Sequence, residues 1–315
     1  MKSLWLRFLF KRLSVGLLTC VLLVLITFLL VHLIPGDPIR RIAGLAASPE
    51  YVSKLREQLG LDHGLLTQFW IYVQHVARWN LGLSIQTGES VATIIAQRLP
   101  YTLLLIASGV VIATVLGVVI GFLATWVGFQ SRFPRLDVML RSLLGAAGAI
   151  PEIVYGTILV VLFAVRWQFF PVAGMSGWES LVLPSLAIGI RPAFTIARIV
   201  RVESIQILGS RFIQTARSKR ASTLRIYLVH TLPNIATAVL TLSGLLFGYL
   251  LGAVVVLEVL FTWPGIGSAA VTAVINLDYP VIQGVVLVLG VLVLVVNLLI
   301  DTVLALIDKR RLLTQ

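Results

Sequence analysis

The sequence predicts an all-α integral membrane protein with six transmembrane helices and a sizeable extracytoplasmic segment after the first. The chain of 315 residues is 58% hydrophobic and 12% charged, with a mean hydropathy of +1.00. This composition leaves too little polar surface to enclose a water-soluble globule. Several apolar runs reach about 20 residues, the length at which a helix crosses roughly 30 Å of hydrocarbon. The lone Cys20 lies in the first run, which excludes an intrachain disulfide or a cysteine metal site.

The six predicted spans follow the long stretches that lack charged residues. The first begins after Arg12 and is interpreted as a retained helix, because its run is too long for a signal peptide and no small-residue cleavage site follows. The third contains Glu152 and a break at Pro151, and two prolines and Arg191 interrupt the fourth. The predicted spans are 13–34, 101–127, 142–165, 181–199, 233–257 and 281–307.

The spans divide the chain into a cytoplasmic N-terminus (1–12), an extracytoplasmic segment (35–98), a membrane core (99–307) and a cytoplasmic C-terminus (308–315). The core contains spans two to six and a cytoplasmic loop at 200–232.

Two short helices are predicted in the extracytoplasmic segment. In "SPEYVSKLREQLG", Ser48 is the predicted N-cap, Pro49 the first helical residue and Gly60 the terminator. "LLTQFWIYVQHVARW" is amphipathic and too short to cross, which favours an interfacial helix.

The distribution of basic residues predicts that both termini are cytoplasmic. In this orientation the inner segments hold 17 of the 25 Lys and Arg residues, and the outer segments hold seven. Six of those seven lie in segment 35–98, which is too long for its charges to influence orientation strongly. The net charge of +12 is therefore spread over loops that face anionic lipid, and no nucleic-acid partner is expected.

One cytoplasmic stretch concentrates positive charge, "SRFIQTARSKRASTLRIYLVHTLPN" at 210–234. No acidic residue occurs between Glu203 and Glu258. One interpretation is that its cations enforce topology and contact lipid headgroups. The other is a docking helix, because Phe212, Ile213 and Ala216 have helical spacing on one side, as a helix needs to enter another protein's groove. Its cations are Arg211, Arg217, Lys219, Arg220 and Arg225.

This stretch resembles the "EAA" loop of bacterial ABC-importer permeases, in the form found in the dipeptide/oligopeptide/nickel family. Gln214, Thr215 and Ala216 occupy the "EAA" positions, and Pro233 is expected to end one element and open the fifth span. The resemblance implies a coupling helix that inserts into a cleft of an ATPase subunit. The residues assigned to this coupling are Phe212, Gln214, Thr215, Ala216, Arg217, Lys219, Arg220, His230, Leu232 and Pro233.

The sequence departs from the family pattern at Arg220, where a loop glycine is expected after Lys219. Glycine permits a positive-φ turn that arginine resists. We therefore expect the turn to differ or to shift to neighbouring residues.

The resemblance extends over nearly the whole chain, through eight segments in order with consistent membrane spacing. Besides the coupling stretch, they are "IPGDP" (34–38), "LREQLGLD" (55–62), "LGLSIQTGESV" (81–91), "RLPYTLLL" (98–105), "FFPVAGMSG" (169–177), "GAVVVLEVLFTWPGIG" (252–267) and "LDYPVIQG" (277–284).

The resemblance implies a type I ABC importer permease in the bacterial inner membrane that carries out no catalysis. The chain lacks a P-loop motif, so ATP and Mg²⁺ would be bound by two partner ATPase subunits and this chain holds no cofactor. A second permease and an extracytoplasmic solute-binding protein are the other implied partners. The expected mechanism is alternating access, and the expected substrate is a short peptide, or nickel or another metal chelate.

Two alternatives were weighed against this function. A secondary transporter working without ATPases is disfavoured, because no second hydropathy-related half is evident. An intramembrane enzyme is disfavoured, because the four histidines are scattered and no metalloprotease or nucleophile-elbow motif occurs.

Charged and small residues inside the spans are further candidates. Glu152 and Arg191 could line the translocation path as a pair, or could sit near span boundaries. Glu258 is expected to make a structural hydrogen bond. Gly244, Gly248 and Gly252 recur every fourth residue and could meet a helix of the second permease, although glycine is common in membrane helices.

Overall fold

The computed structural model describes residues 2–33, 48–58, 63–129 and 134–307. These residues are mainly helical, and the β-pairing found among them is a single isolated bridge between Leu83 and Ser90. The predicted terminator Gly60 and the predicted C-terminal segment 308–315 lie outside the described residues.

Twelve helices are described in these ranges, together with two π-helical segments. In chain order they are α1 (Lys2–Leu33), α2 (Pro49–Gln58), α3 (Leu65–Ala77), α4 (Val91–Phe129), α5 (Pro134–Ala149), α6 (Glu152–Leu159) with π1 (Val160–Arg166), α7 (Glu179–Leu208), α8 (Arg211–Ser218), α9 (Thr223–Arg225) with π2 (Ile226–Thr231), α10 (Leu232–Leu260), α11 (Ile266–Asn276) and α12 (Tyr279–Ile307).

The predicted all-α membrane fold is confirmed. Among the described residues, five helical segments are long and apolar enough to cross a membrane, and a bent pair brings the number to six. The five are Arg12–Leu29, Val91–Gly128, Glu179–Leu208, Thr223–Leu260 and Tyr279–Val303.

The predicted third span, 142–165, is bent at the break that the sequence predicts at Pro151. Arg135–Ala149 and Glu152–Arg166 meet at an angle of 91°. Pro151 adopts an extended backbone conformation and caps α6 there. Because proline cannot donate the backbone bond that would continue α5, the chain turns at this residue, which the sequence had marked as a break.

Other helices also extend beyond their predicted limits, and α1 begins at Lys2 rather than 13. α4 begins at Val91 rather than 101 and contains Pro100, and α7 continues to Leu208 rather than 199. The end of an apolar run indicates where a helix leaves the lipid. The helix itself can be longer, because its backbone hydrogen bonding continues into the polar residues beyond that point. Part of the predicted loop 200–232 is therefore an extension of α7.

α4 packs closely on α7 through a face of small residues. A side chain at Gly117 would place its Cβ 2.6 Å from Cβ of Ile196, and at Gly121 2.6 Å from Cβ of Val200. Without side chains on this face, the two backbones approach closely, as in other membrane helix pairs. The small residues recur every fourth position, at Gly109, Ala113, Gly117 and Gly121.

The described residues form two compact units, and α4 and α12 each contribute residues to both of them. One unit is drawn from residues up to Pro100 and from Gly265–Val295, and the other from Tyr101–Pro264 and from Val296 onward. The first unit joins α11 to the beginnings of α4 and α12 through a buried cluster. Its buried members are Val91, Ile95, Ile266, Ala273, Val281, Ile282 and Val285.

Asp278 fixes the loop before α4 within the same unit. Ser84 donates a hydrogen bond of 2.5 Å to the Asp278 carboxylate, and the amide of Ile85 donates another of 3.1 Å. The "LSIQTGES" and "LDYP" segments thus meet, although they lie almost 200 positions apart in the chain.

The short helices before α4 also follow their predicted signals. Ser48 caps α2 by accepting a hydrogen bond of 3.3 Å from the Tyr51 amide. α3 packs on α1, where Tyr72 donates to the Thr27 hydroxyl at 3.0 Å and Phe28 contacts the ring of Phe69.

The glycine face of α4 gives a test of the packing. Gly117→Ala should lower the free energy of unfolding by about 1–3 kcal/mol, because its Cβ would also lie 2.9 Å from the Ala193 carbonyl oxygen. Gly145→Ala is the matched control, because a Cβ at Gly145 would have no neighbour within 4 Å in the part of the chain that the structure describes. Unfolding in detergent by heat or denaturant measures both, and equal effects would contradict the packing described.

Candidate functional site

The basic stretch forms a helix directly after α7. α7 ends at Leu208, Gly209 caps it, and Ser210 begins α8 in an extended conformation. Ser210 also donates a side-chain hydrogen bond of 2.6 Å to the carbonyl of Ile207, which ties the start of α8 to the last turn of α7.

α8 is anchored to its own chain by one side chain. Ile213 is 0% exposed and packs with Leu208, Ile226 and Tyr227. The ring of Tyr227 also contacts that of Phe122 on α4, at 5.1 Å between centroids. Phe212, Ile213 and Ala216 were expected to form one apolar surface for docking. That expectation is wrong for Ile213, because its side chain is buried against its own chain.

The opposite side of α8 remains exposed in this chain. Phe212 is 46% exposed, and Ala216 is partly buried. The surface thus combines one large apolar ring with polar and basic groups. Its other exposed members are Gln214, Thr215, Arg217, Lys219 and Arg220.

The turn after α8 stays at the position where the family has glycine. Arg220 itself adopts the left-handed conformation, with φ of 56°. Its amide donates to the Arg217 carbonyl at 2.8 Å, and the Ala221 amide donates to the Ala216 carbonyl at 3.1 Å. This is a Schellman helix end, which uses a left-handed residue at this position. The expectation that the turn would differ or shift is wrong, because the two hydrogen bonds hold Arg220 in the strained conformation.

Pro233 lies at the start of α10, as expected of a residue that opens the fifth span, but the helix is not interrupted before it. Ser222 caps α9, and the helix continues through π2 into α10, with Pro233 in its first turn. The wider π-helical turn accommodates the missing proline amide, and the Thr231 hydroxyl donates to the Ile226 carbonyl at 3.0 Å. His230 and Leu232 are partly buried, and Pro233 is exposed.

An ion pair lies inside the helical bundle, between two residues singled out in the sequence. Arg191 of α7 donates to Glu152 at the start of α6, with 2.8 Å between Nη1 and Oε1. Their side chains are 34% and 11% exposed. Arg191 Nε also donates to the Gly148 carbonyl at 3.3 Å, which joins α7 to both sides of the bend.

Tyr249 of α10 completes this cluster, and the sequence analysis missed it. Its hydroxyl donates to Glu152 Oε1 at 2.9 Å and also accepts a hydrogen bond from Arg191. The guanidinium carbon lies 5.7 Å from the centre of the tyrosine ring, a cation–π arrangement. A phenol within an otherwise apolar span was the available signal.

A second buried ion pair lies on α5 and α7, and it too was missed. Arg201 donates to Asp137 with 2.5 Å between Nη2 and Oδ1, and Arg141 pairs with the same carboxylate. Gly128 leaves room for them, because a Cβ there would lie 2.6 Å from Asp137 Oδ1. Arg201 falls in the segment 200–232 that the sequence predicts to be a cytoplasmic loop, although it lies within α7 and is largely buried.

The glycine face of α10 has a different partner from the one expected. Cβ atoms at Gly244 and Gly248 would meet Ile300 at 2.9 Å and Asn297 at 3.3 Å, both on α12 of the same chain. For these two glycines, the expected contact with a second permease is therefore corrected. A Cβ at Gly252 would meet no atom of the described residues within 4 Å.

Glu258, also predicted to be structural, is fully buried and accepts a hydrogen bond of 2.5 Å from Thr102. This contact confirms the expected structural hydrogen bond.

Membrane-length helices, a bend within one span and a short basic helix beside the spans together define a polytopic helical membrane protein. The family model described as "Binding-protein-dependent transport system inner membrane component" matches residues 117–312, and its N-terminal companion matches residues 5–106. The chain belongs to this family, the inner-membrane permease components of ABC importers. It is therefore a multi-pass protein of the bacterial inner membrane and a transport component rather than a catalytic one.

Relatives of similar length support this membership. The chain is 36% identical to the glutathione transport system permease protein GsiC of Escherichia coli O6:H1 and 37% identical to that of Salmonella choleraesuis. Both alignments cover 96% of this chain and 98% of the relative.

Among solved structures, the chain resembles one from inward-facing conformations of the MetNI methionine ABC transporter. The TM-score is 0.55 at 18% identity, with 68% of this chain and 96% of that chain covered. This likeness confirms the predicted type I importer permease fold.

The strained turn gives a direct prediction. Arg220→Gly should raise the free energy of unfolding by about 1 kcal/mol, because glycine adopts a left-handed conformation without steric cost. Arg220→Ala removes the same charge and keeps the strain, so it should leave stability near that of the wild type. Thermal unfolding of the detergent-solubilised protein compares them, and a stabilisation by Ala as large as that by Gly would contradict the strain.

Proposed function

We propose that this chain is one of two permeases that form the translocation path of an ATP-driven importer, and that α8 is the helix through which an ATPase subunit moves it. The observation that carries this proposal is the two-sided character of α8. Ile213 holds it to the chain, while Phe212 and the polar and basic groups beside it remain exposed.

The packing of α8 suits the transmission of force. Ile213 contacts residues at the end of α7 and in π2, which leads into α10. A displacement of α8 would therefore be passed to two spans at once, because a close-packed cluster moves as a unit rather than deforming. The capped helix ends on both sides of α8 limit its independent motion.

The proposed arrangement places α8 and both termini in the cytoplasm, where the excess of Lys and Arg residues favours them. ATP and Mg²⁺ would be bound by two ATPase subunits there. A solute-binding protein would deliver the substrate at the opposite face. The mechanism is alternating access, in which ATP-driven movement of α8 rocks the spans.

The proposed substrate is a short peptide or a related small solute, such as a nickel or other metal chelate. The two GsiC relatives are named for glutathione, itself a small peptide, which supports the peptide class. We place Glu152 and Arg191 on the translocation path, because a partly accessible ion pair inside a bundle is usually directed at a cavity.

Contact with the second permease is proposed at Gly252. Among the described residues none lies within 4 Å of a Cβ at that position, and Gly252 lies on the same helix as two glycines that do have a close neighbour. A helix from the partner permease could approach the backbone there.

Co-purification with the ATPase subunits tests the coupling role. Phe212→Ala should reduce the amount of ATPase recovered by about tenfold, because an exposed aromatic side chain in the first turn of a docking helix is a typical binding hot spot. The fold should be unaffected, because Ile213 rather than Phe212 anchors α8.

Leu224→Ala is the matched control, since Leu224 is 69% exposed and lies outside α8. It should recover as much ATPase as the wild type. Undiminished recovery with Phe212→Ala, or ATP-independent transport by the chain alone in liposomes, would contradict the proposed function and favour a secondary transporter.

A further inference from the structure

The ion pair inside the bundle has unused hydrogen-bonding capacity on both partners. The described bonds of Glu152 use Oε1, and those of Arg191 use Nη1 and Nε. Glu152 Oε2 and Arg191 Nη2 have no hydrogen-bond partner among the described residues, and neither is one of the solvent-inaccessible unpaired atoms found there. Glu152 therefore offers an accessible, negatively charged hydrogen-bond acceptor, and Arg191 offers an accessible, positively charged donor beside it.

The apolar surroundings of Glu152 and Arg191 restrict which solutes can bind to them. Arg191 lies near the middle of α7, Tyr249 lies near the middle of α10, and the neighbouring residues of both helices are mainly apolar. In such a low-dielectric setting, charges interact strongly and an unpaired charge is expensive. Any solute that separates Glu152 from Arg191 must therefore replace the interaction that each of them loses.

A solute with one ammonium and one carboxylate satisfies this requirement. The Glu152–Arg191 pair has no net charge, and neither does a peptide with free termini and neutral side chains. If such a peptide bound between Glu152 and Arg191, two ion pairs would replace one, and no net charge would enter the bundle. A solute with one net charge would leave a charge unpaired, and a solute with blocked termini would leave two.

We propose that Glu152, Arg191 and Tyr249 form a binding site for the ends of a zwitterionic peptide. The carboxylate of Glu152 takes the ammonium, and the guanidinium of Arg191 takes the carboxylate. This inference rests on the proposed function, because it names the chemical groups that a peptide substrate would use at the translocation path.

Tyr249 acts in this site as a positioning residue. Its hydroxyl bonds to both charged partners, and its ring lies beside the guanidinium. When the peptide carboxylate occupies Arg191, the hydroxyl keeps a hydrogen bond to Glu152 and holds its carboxylate in place. This spares Glu152 part of the cost of losing Arg191.

The test compares uptake of free and blocked dipeptides by the complete importer in proteoliposomes. The probes are dialanine and its doubly blocked form, N-acetyl-dialanine amide. The double variant E152Q/R191Q removes both charges together, so that neither is left buried and unpaired. Because the same binding protein serves the variant and the wild type, a change in the uptake ratio belongs to the permease.

The ratio of free to blocked dipeptide uptake should fall by about tenfold or more in the double variant, as expected for two lost charge-assisted interactions. Y249F should lower the same ratio by about threefold, a smaller effect, because the lost hydrogen bond positions Glu152 and does not contact the peptide. An unchanged ratio in E152Q/R191Q, whether or not total uptake falls, would overturn the site. An unchanged ratio in Y249F would remove Tyr249 from it.

The same uptake experiment distinguishes a failure of the proposed function from a failure of this binding site. A wild-type importer that takes up neither dipeptide, with ATP and its binding protein present, would contradict peptide transport itself. Wild-type uptake of dialanine combined with an unaltered ratio in the double variant would contradict this site alone.

Discussion

Hydrocarbon offers no hydrogen bonds, so the backbone and the polar groups of each span must find partners within the protein. This constraint explains why α7 continues through Pro184 and Pro192, and why a π-helical segment precedes Pro233. It also explains the pairing of the buried charges. Asp137 is held by two arginines, and Glu152 is held by Arg191.

The same constraint separates the two kinds of site in this chain. α8 offers charged groups and an exposed phenylalanine, which suits a protein surface in water. The Glu152 cluster offers charges that already neutralise each other, which suits a cavity between helices. Both sites depend on α7, because its middle carries Arg191 and its last turn packs on Ile213. A movement of α8 could thus alter the inner cluster through one continuous helix.

The sequence predicted the membrane fold, the spans within a few residues at most ends, and the short basic helix, because apolar length and charge position are local properties. It did not predict how far α4 and α7 continue, since backbone bonding extends past the lipid boundary. Nor could it find Tyr249, or pair Arg201 with Asp137, because those contacts join residues far apart in the chain. The inward direction of Ile213 and the left-handed Arg220 likewise depend on tertiary packing and helix capping.

Cross-linking from α8 tests the central claim most directly. A cysteine at Thr215, an exposed position on α8, would be introduced in a Cys20→Ser background and treated with a short bifunctional reagent in membrane vesicles that contain the whole importer. The account predicts a covalent product of this chain with an ATPase subunit, formed in amounts that change with bound nucleotide. A cysteine that reacts freely with soluble reagents and yields no such product would contradict it.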